Sequence, residues 1–159
     1  MMVLEQISME IVKVEDIPRQ CQSIKATAEN FAQLVKFFKE MEEICVASKG
    51  IGLAAAQLGV AEKLFIIKYR SFTGWFANCY YTGIGEKIES LEGCLSLPHR
   101  NFVVPRYPIV YVVGQIVTET GVKPFNERLT DLPAIVFQHE IDHCEGILIS
   151  EIGKEVKNE

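Results

Sequence analysis

The most constraining feature of this sequence is the pentapeptide His139-Glu140-Ile141-Asp142-His143. Two histidines four residues apart lie on the same face of an α-helix, one turn above the other, so both imidazoles can bind one metal ion. Glu140 is rotated by about 100° around the helix axis, which puts its carboxylate beside that ion and near a bound water. The pattern therefore predicts a helix that carries a metal and a general base.

A surface helix with two unrelated histidines is the alternative interpretation of this motif. The chain has only three histidines, and apolar residues flank the pair on both sides (Ile135, Val136 and Ile147). Buried histidines without partners would be costly to desolvate, so we favour the metal site. No histidine follows His143, so the third ligand is expected upstream of the motif.

The third ligand is predicted in the segment Glu92-Gly93-Cys94-Leu95-Ser96. A thiolate from Cys94 would complete a three-ligand site that leaves one position for water. Taken alone, a free cysteine is more often a small buried hydrophobe. The neighbouring glycine and carboxylate favour a ligand instead. Carboxylates after the second histidine are conceivable ligands too, but none has an obvious spacing: Glu145, Glu151, Glu155 and Glu159.

Hydrophobic periodicity predicts one long helix before the metal motif and a second helix that carries it. Apolar residues recur at three- and four-residue steps over residues 23–47, with Ser23 as the predicted cap. The second helix is predicted to begin at Thr130 or Asp131 and to continue to about Glu145. Cys144 is assigned to the core, because neighbouring residues on a helix point about 100° apart.

Short strands are predicted between the two helices. The segments 102–104 and 109–113 are separated by Pro105 and Pro108, so a bend is predicted between these two strands, and 116–118 continues their sheet. Thr120-Gly121 is a predicted turn. A helix, several strands and another helix predict an α+β fold with a mostly antiparallel sheet. At 159 residues, the chain 1–159 is expected to be a single domain. The predicted strands are 64–69, 77–82, 102–104, 109–113 and 116–118.

Composition and charge argue against several classes of protein. The net charge is −5, from 16 basic and 21 acidic side chains, which disfavours a surface for the phosphate backbone of nucleic acid. No apolar run approaches the roughly 18 residues of a membrane span. The five cysteines are an odd number without a regular framework, which predicts reduced thiols and a cytoplasmic location.

Three segments together resemble the signature motifs of peptide deformylases, in that family's order. They are GIGLAAAQ at 50–57, EGCLS at 92–96 and QHEIDH at 138–143. Val104-Pro105-Arg106 is also similar to the family. The resemblance implies a compact member with a short C-terminal tail, and an α+β fold in which antiparallel sheets pack around the metal-bearing helix. It implies hydrolysis of the N-terminal formyl-methionine of nascent polypeptides, with release of formate.

The resemblance also implies roles for individual residues. Cys94, His139 and His143 match the metal ligands, and Glu140 matches the general base and acid for an attacking water activated by the metal. The side-chain amide of Gln57 and the backbone N–H of Leu95 match the oxyanion donors. One divalent ion is expected, commonly Fe²⁺ with Zn²⁺ or Ni²⁺ as alternatives, and the ribosome is an expected further partner. Positions near the substrate methionine match Ile51, Gly52, Glu92, Gly93, Leu132, Ile135 and Val136.

Two interpretations concern arginines outside these motifs. Arg106 is predicted to pair with Asp142 and to fix the helix against a strand, because a buried carboxylate left alone is costly. Family members frequently carry an arginine where Asn101 stands, and Arg100 is a candidate replacement for it.

Two other functions stay open on the sequence alone. A zincin-type metallopeptidase would use the same histidine pair, but it would leave the cysteine and glycine motifs unexplained. A non-catalytic protein that binds formylated or nascent chains would need neither Glu140 nor Gln57.

Overall fold

A computed structural model describes residues 9–70 and 72–157 of the chain. Within these ranges the helices are α1 Phe31–Ala47, α2 Asp131–Cys144 and α3 Ile149–Ile152, with 3₁₀ turns at Val14–Asp16 and Ala55–Leu58. The strands are β1 Gly52–Ala54, β2 Leu64–Tyr69, β3 Phe72–Ile84, β4 Ile88–Cys94, β5 Leu97–Arg106, β6 Ile109–Thr118, β7 Gly121–Thr130 and β8 Lys154–Val156. None of the described helices is long and apolar enough to cross a membrane.

The named strands form two antiparallel sheets. The larger sheet has the order β1-β2-β3-β6-β7, and the smaller has the order β4-β5-β8. The predicted turn at Thr120-Gly121 joins β6 to β7, with Thr118 paired to Gly121. The predicted bend between residues 104 and 109 is the point where the chain leaves the smaller sheet and enters the larger one. The α+β fold with antiparallel sheets is confirmed.

Strand β2 shows why one helix lies on each side of the larger sheet. Its side chains alternate in direction, so Leu64 and Ile66 pack with α1, while Phe65 and Ile67 pack with α2. Phe137 of α2 contacts Phe65 edge to face, with ring centroids 5.6 Å apart. Because both faces of β2 are covered, its sequence is a continuous apolar run rather than an alternating one.

Helix α1 begins at Phe31, so the predicted start at Ser23 is wrong. Ile24 is apolar for another reason: it lies in the core and is fixed to β3 by two hydrogen bonds with Asn78, of 2.9 and 2.7 Å. The helix follows only after a turn at residues 28–30. Periodicity alone could not separate an extended apolar segment from the helix that continues it.

The strands β4, β7 and β8 were not predicted because their sequences are largely polar. Strand β7 lies at the edge of the larger sheet, where Lys123, Pro124 and Arg128 are exposed. Proline is tolerated at such an edge, because a residue whose N–H would face solvent there has no ladder hydrogen bond to lose. Pairing with β6, rather than intrinsic preference, makes this segment a strand.

Candidate metal centre and active site

Helix α2 runs beneath the cavity and carries both motif histidines, as predicted. The rings of His139 and His143 have centroids 5.1 Å apart. Cys94, the last residue of β4, points at the same place, with its Sγ 3.5 Å from His143 Nε2. Ligand atoms of the three residues all lie within 4.8 Å of one another. One thiolate and two imidazoles form a donor set that suits Zn²⁺ or Fe²⁺, so these residues fit a divalent ion.

Glu92 orients the first histidine of the pair. Its Oε1 lies 2.8 Å from His139 Nδ1. Burial opposes ionisation of this carboxyl, yet hydrogen bonds from Arg106 and His139 lower its pKa to about 2. An ionised carboxylate only accepts hydrogen bonds, so Nδ1 carries the proton and Nε2 is the nitrogen left for a metal.

Arg106 holds this arrangement together from the interior. Its Nε and Nη2 each donate to Glu92 over 2.8 Å, and its Nη1 donates to Asp142 Oδ2 over 2.5 Å. Tyr81 donates a further hydrogen bond of 2.8 Å to Asp142 Oδ1. The predicted pair of Arg106 and Asp142 is confirmed. The sequence did not predict that Glu92 contacts Arg106 and His139. It also did not predict the contact of Tyr81 with Asp142, and no motif includes Tyr81.

Glu140 is buried beside the three candidate ligands, and its Oε1 has no hydrogen-bond partner among the described residues. Burial raises its pKa to about 7, with a further increase from nearby Glu92 and an opposing effect of His139. A Cβ at Gly52 would lie 2.4 Å from Glu140 Oε2, so any larger residue there would have to displace this carboxylate. The geometry gives a carboxylate able to exchange protons near neutral pH.

The two histidines differ in electrostatics. Burial disfavours the charged form of both, but hydrogen bonds with Cys94 and Glu92 raise the pKa of His139 to about 10 in the metal-free protein, so a metal ion at Nε2 would displace a proton. Burial and the charge of His139 hold the pKa of His143 well below its usual value. The Nδ1 of His143 is buried without a hydrogen-bond partner in the described part of the chain, so the ring is held by packing and by the contact of its Nε2 with Cys94 Sγ.

The side-chain amide of Gln57 is aimed at the same centre. Its Oε1 accepts a hydrogen bond of 3.0 Å from the backbone N–H of Ala54, which fixes the orientation of the amide. Its Nε2 therefore faces Cys94 Sγ at 3.4 Å and Ser96 Oγ at 3.3 Å. Leu95 lies beside it in the turn between β4 and β5. Ser96 was not predicted, although it belongs to the cysteine motif.

A cavity of about 570 Å³ opens above these residues. Its lining includes every residue predicted near the substrate methionine, together with Gln57, Cys94, Leu95, His139 and Glu140; His143 lies outside the lining. Leu91 and Asn101 also line it and were not predicted as site residues. The predicted substrate-site residues that it brings together are Ile51, Gly52, Glu92, Gly93, Leu132, Ile135 and Val136.

The sequence profile of the family described as polypeptide deformylase matches residues 8–159. This chain belongs to the polypeptide deformylase family. The peptide deformylase of Heliobacterium modesticaldum is 32% identical over 140 residues, which cover 87% of this chain and 89% of that protein. The family resemblance of the three motifs is therefore confirmed, and the chain is an enzyme of a metal-dependent hydrolase family.

Other deformylases agree in fold and differ in length. The crystal structure of a probable peptide deformylase from Synechococcus phage S-SSM7 has a TM-score of 0.81 at 29% identity, covering 91% of this chain and 99% of that chain. The peptide deformylase of Symbiobacterium thermophilum is 35% identical over 123 residues, or 76% of this chain. The match spans 55% of the length of that relative.

Cys144, which follows the second motif histidine, is buried in the core formed with α2, as predicted.

The position of Arg100 bears on its predicted role as a replacement for the arginine missing at Asn101. Arg100 lines the cavity, but its Nε and Nη2 donate to Glu155 of β8 over 2.9 Å each. Its guanidinium is thus shared with a carboxylate of this chain, which weakens the case for Arg100 as a substitute at the Asn101 position.

Proposed function

We propose that this chain hydrolyses the formyl amide of N-formyl-methionyl peptides, giving formate and a free methionine N-terminus. The observation that carries the proposal is Glu140, a buried carboxylate with an unpartnered oxygen between three candidate ligands and an open cavity. A pure binding protein has no use for such a group, because burying an unpaired carboxylate is unfavourable.

The proposed reaction divides the chemistry between the metal and the residues of this chain. When held by Cys94, His139 and His143, a divalent ion supplies Lewis-acid activation and lowers the pKa of water from about 15.7 to about 7. Glu140 accepts the proton of the attacking water and later donates it to the leaving amine nitrogen, so one carboxyl serves both proton transfers. A pKa near 7 suits both directions of transfer.

Gln57 and Leu95 are the proposed donors to the oxyanion that develops on the formyl oxygen. The fixed orientation of the Gln57 amide supports this role, since Nε2 is held toward Cys94 before substrate arrives. Preorganised donors of this kind are worth about 2.7–4 kcal/mol each when removed.

The apolar part of the cavity wall is the proposed site for the methionine side chain. Ile51 and Leu132 are exposed, and Ile135 and Val136 line the cavity with them. Burying a methionine there would contribute roughly 1.5–3 kcal/mol. That is enough to prefer methionine over small residues and too little for absolute specificity.

The proposed setting is the cytoplasm, with nascent chains leaving the ribosome as substrates. All five cysteines lie in the described ranges and are free thiols, which supports a reducing compartment. We propose Fe²⁺ as the native metal, with Zn²⁺ or Ni²⁺ as alternatives, since the same thiolate and imidazole donors accept all three.

The proposal is tested by measuring formate release from a formyl-methionyl tripeptide by protein purified without oxygen. Glu140→Gln should keep the metal and lose about 10²–10⁴-fold in kcat. Cys94→Ser should lose metal content and activity together. Matched controls are Cys21→Ser and Glu86→Gln, which change the same residue types away from the cavity and should behave as wild type.

Other outcomes separate the rival functions. Peptide binding without formate release by the fully metallated wild type would point to a binding role. Cleavage of internal peptide bonds, lost in Glu140→Gln, would point to a metallopeptidase.

A further inference from the structure

The rim of the cavity is defined by the exposed ionisable residues that line it, and all of these are basic. Among the described lining residues, the exposed ionisable side chains are Lys49, His99 and Arg100. The lining carboxylates, Glu92 and Glu140, are buried beneath the rim. The rim is thus opposite in sign to the chain as a whole, whose net charge is −5.

Lys49 is the rim cation that has no carboxylate partner among residues 9–70 and 72–157. Arg100 donates two hydrogen bonds to Glu155, so its charge is compensated within the chain. Lys49 makes no ion pair with any described residue. Its ammonium group is therefore available to an anion that enters the cavity.

The backbone turn at Lys49 does not require a lysine side chain. The N–H of Lys49 donates to Val46 O at 3.0 Å, and the N–H of Gly50 donates to Cys45 O at 2.9 Å. These two bonds form the Schellman motif that ends α1, in which the residue at the Lys49 position is usually glycine. Lys49 adopts the left-handed conformation, with φ of 58°, which is unfavourable for a side chain with a Cβ. Residues held in such conformations concentrate at functional sites.

The position of Lys49 along the chain sets its distance from the reacting bond. It precedes Gly52, which lies against Glu140, by three residues. Three residues span at most about 11 Å, and an extended peptide advances about 3.3 Å per residue. A substrate held at Glu140 and extended along the cavity toward Lys49 would bring one of the next few residues after the methionine within reach of that side chain.

We propose that Lys49 is a specificity-determining residue that favours substrates with an acidic side chain at the second to fourth position. The inference rests on the proposed deformylation. A carboxylate of the substrate pairs with the ammonium group of Lys49, while Arg100 contributes less because Glu155 already occupies it.

The test compares kcat/KM for formyl-Met-Ala-Ala-Ala amide peptides in which one alanine is replaced by Glu or by Gln. The amide removes the terminal carboxylate, and Gln matches the shape of Glu without its charge. Wild type should prefer Glu over Gln by roughly two- to fivefold at one of the three positions, as expected for an exposed ion pair. The preference should fall when salt is raised.

Three variants separate the local charge from other causes. Lys49→Gly should bring the Glu to Gln ratio to one and keep or raise the melting temperature, since glycine fits the left-handed conformation. Lys49→Glu should invert the ratio. Lys36→Glu, an exposed position on α1 outside the cavity lining, changes the net charge equally and should keep the wild-type ratio.

Each outcome decides between the two proposals. Rapid formate release with equal rates for the Glu and Gln peptides would overturn the role of Lys49 and leave deformylation intact. A preference for Glu that is lost equally in Lys36→Glu would also overturn it. No formate release from any peptide by the metallated protein would instead overturn the proposed function.

Discussion

Two arginines of β5 each pair with a glutamate of a neighbouring strand, with nearly identical geometry but in different surroundings. Arg106 donates from Nε and Nη2 to Glu92 over 2.8 Å, and Arg100 donates from the same atoms to Glu155 over 2.9 Å. The side chains of the first pair are 2% and 7% exposed, whereas both side chains of the second are 45% exposed. The same bidentate contact therefore occurs once in the interior and once in water.

Burial, rather than hydrogen-bond geometry, decides what each pair contributes. In the interior, a charge that loses its partner cannot be hydrated, so each member of the first pair depends on the other. In water, solvent and salt screen the attraction, and either partner can be lost cheaply. The buried pair also reaches the metal centre through His139, whereas the exposed pair joins β8 to β5, with Glu155 outside the cavity lining.

The largest expected effect comes from removing the buried arginine. Arg106→Ala leaves Asp142 as a buried carboxylate without a cation and leaves Glu92 with His139 alone, and should lower the free energy of unfolding by about 3–5 kcal/mol. Urea denaturation of the metal-free proteins measures this directly. Arg106→Met, which keeps much of the volume, shows how much of the loss is packing. A midpoint equal to wild type for both variants would show that the network adds no stability.

The next effect concerns the metal rather than the fold. Glu92→Gln keeps the shape of the side chain but removes the negative charge behind His139, and should weaken metal binding about 10–100-fold. Competition with a chelator measures the affinity. Glu155→Gln makes the same change in the exposed pair and should leave the affinity as it is. Equal affinities for wild type and Glu92→Gln would mean that Glu92 does not support the ligand.

A smaller effect is expected at the far end of the buried network. Tyr81→Phe removes the hydrogen bond to Asp142 but leaves the bond from Arg106, so the unfolding free energy should fall by about 0.5–1.5 kcal/mol. Tyr111→Phe on the exposed face of β6 is the matched control and should be neutral. A Tyr81→Phe protein as stable as this control would remove Tyr81 from the network.

The two pairs also show what the sequence could and could not predict. Arg106 was predicted to pair with Asp142 because a carboxylate inside a buried helix motif needs a cation. Glu92 was assigned to the substrate site, since no sequence pattern reveals that its oxygens face Arg106 and His139. That contact depends on the register of β4 against β5, which sets residues 92 and 102 opposite each other.

The other features of the fold and site divide in the same way, into those set by local sequence and those set by tertiary contacts. The histidine spacing predicted α2 and its metal face, because helix geometry is local. The polar strands β7 and β8 exist only through their partners, and the pairing of Arg100 with Glu155 depends on β8. That no described carboxylate pairs with Lys49 is likewise known only from the positions of the carboxylates in the fold.

The smallest expected effect on stability is that of Arg100→Ala, which makes in the exposed pair the change that Arg106→Ala makes in the buried one. The melting temperature should match wild type both near 0.1 M salt, where charges are screened beyond about 10 Å, and near 1 M salt. The Arg100 guanidinium also lies 5.2 Å from the centre of the Phe102 ring, which offers a second source of stability. A loss that is present at both salt concentrations would assign stability to this cation–π contact. A loss confined to low salt would assign it to Glu155, and would show that an exposed bidentate pair contributes more than its surroundings predict.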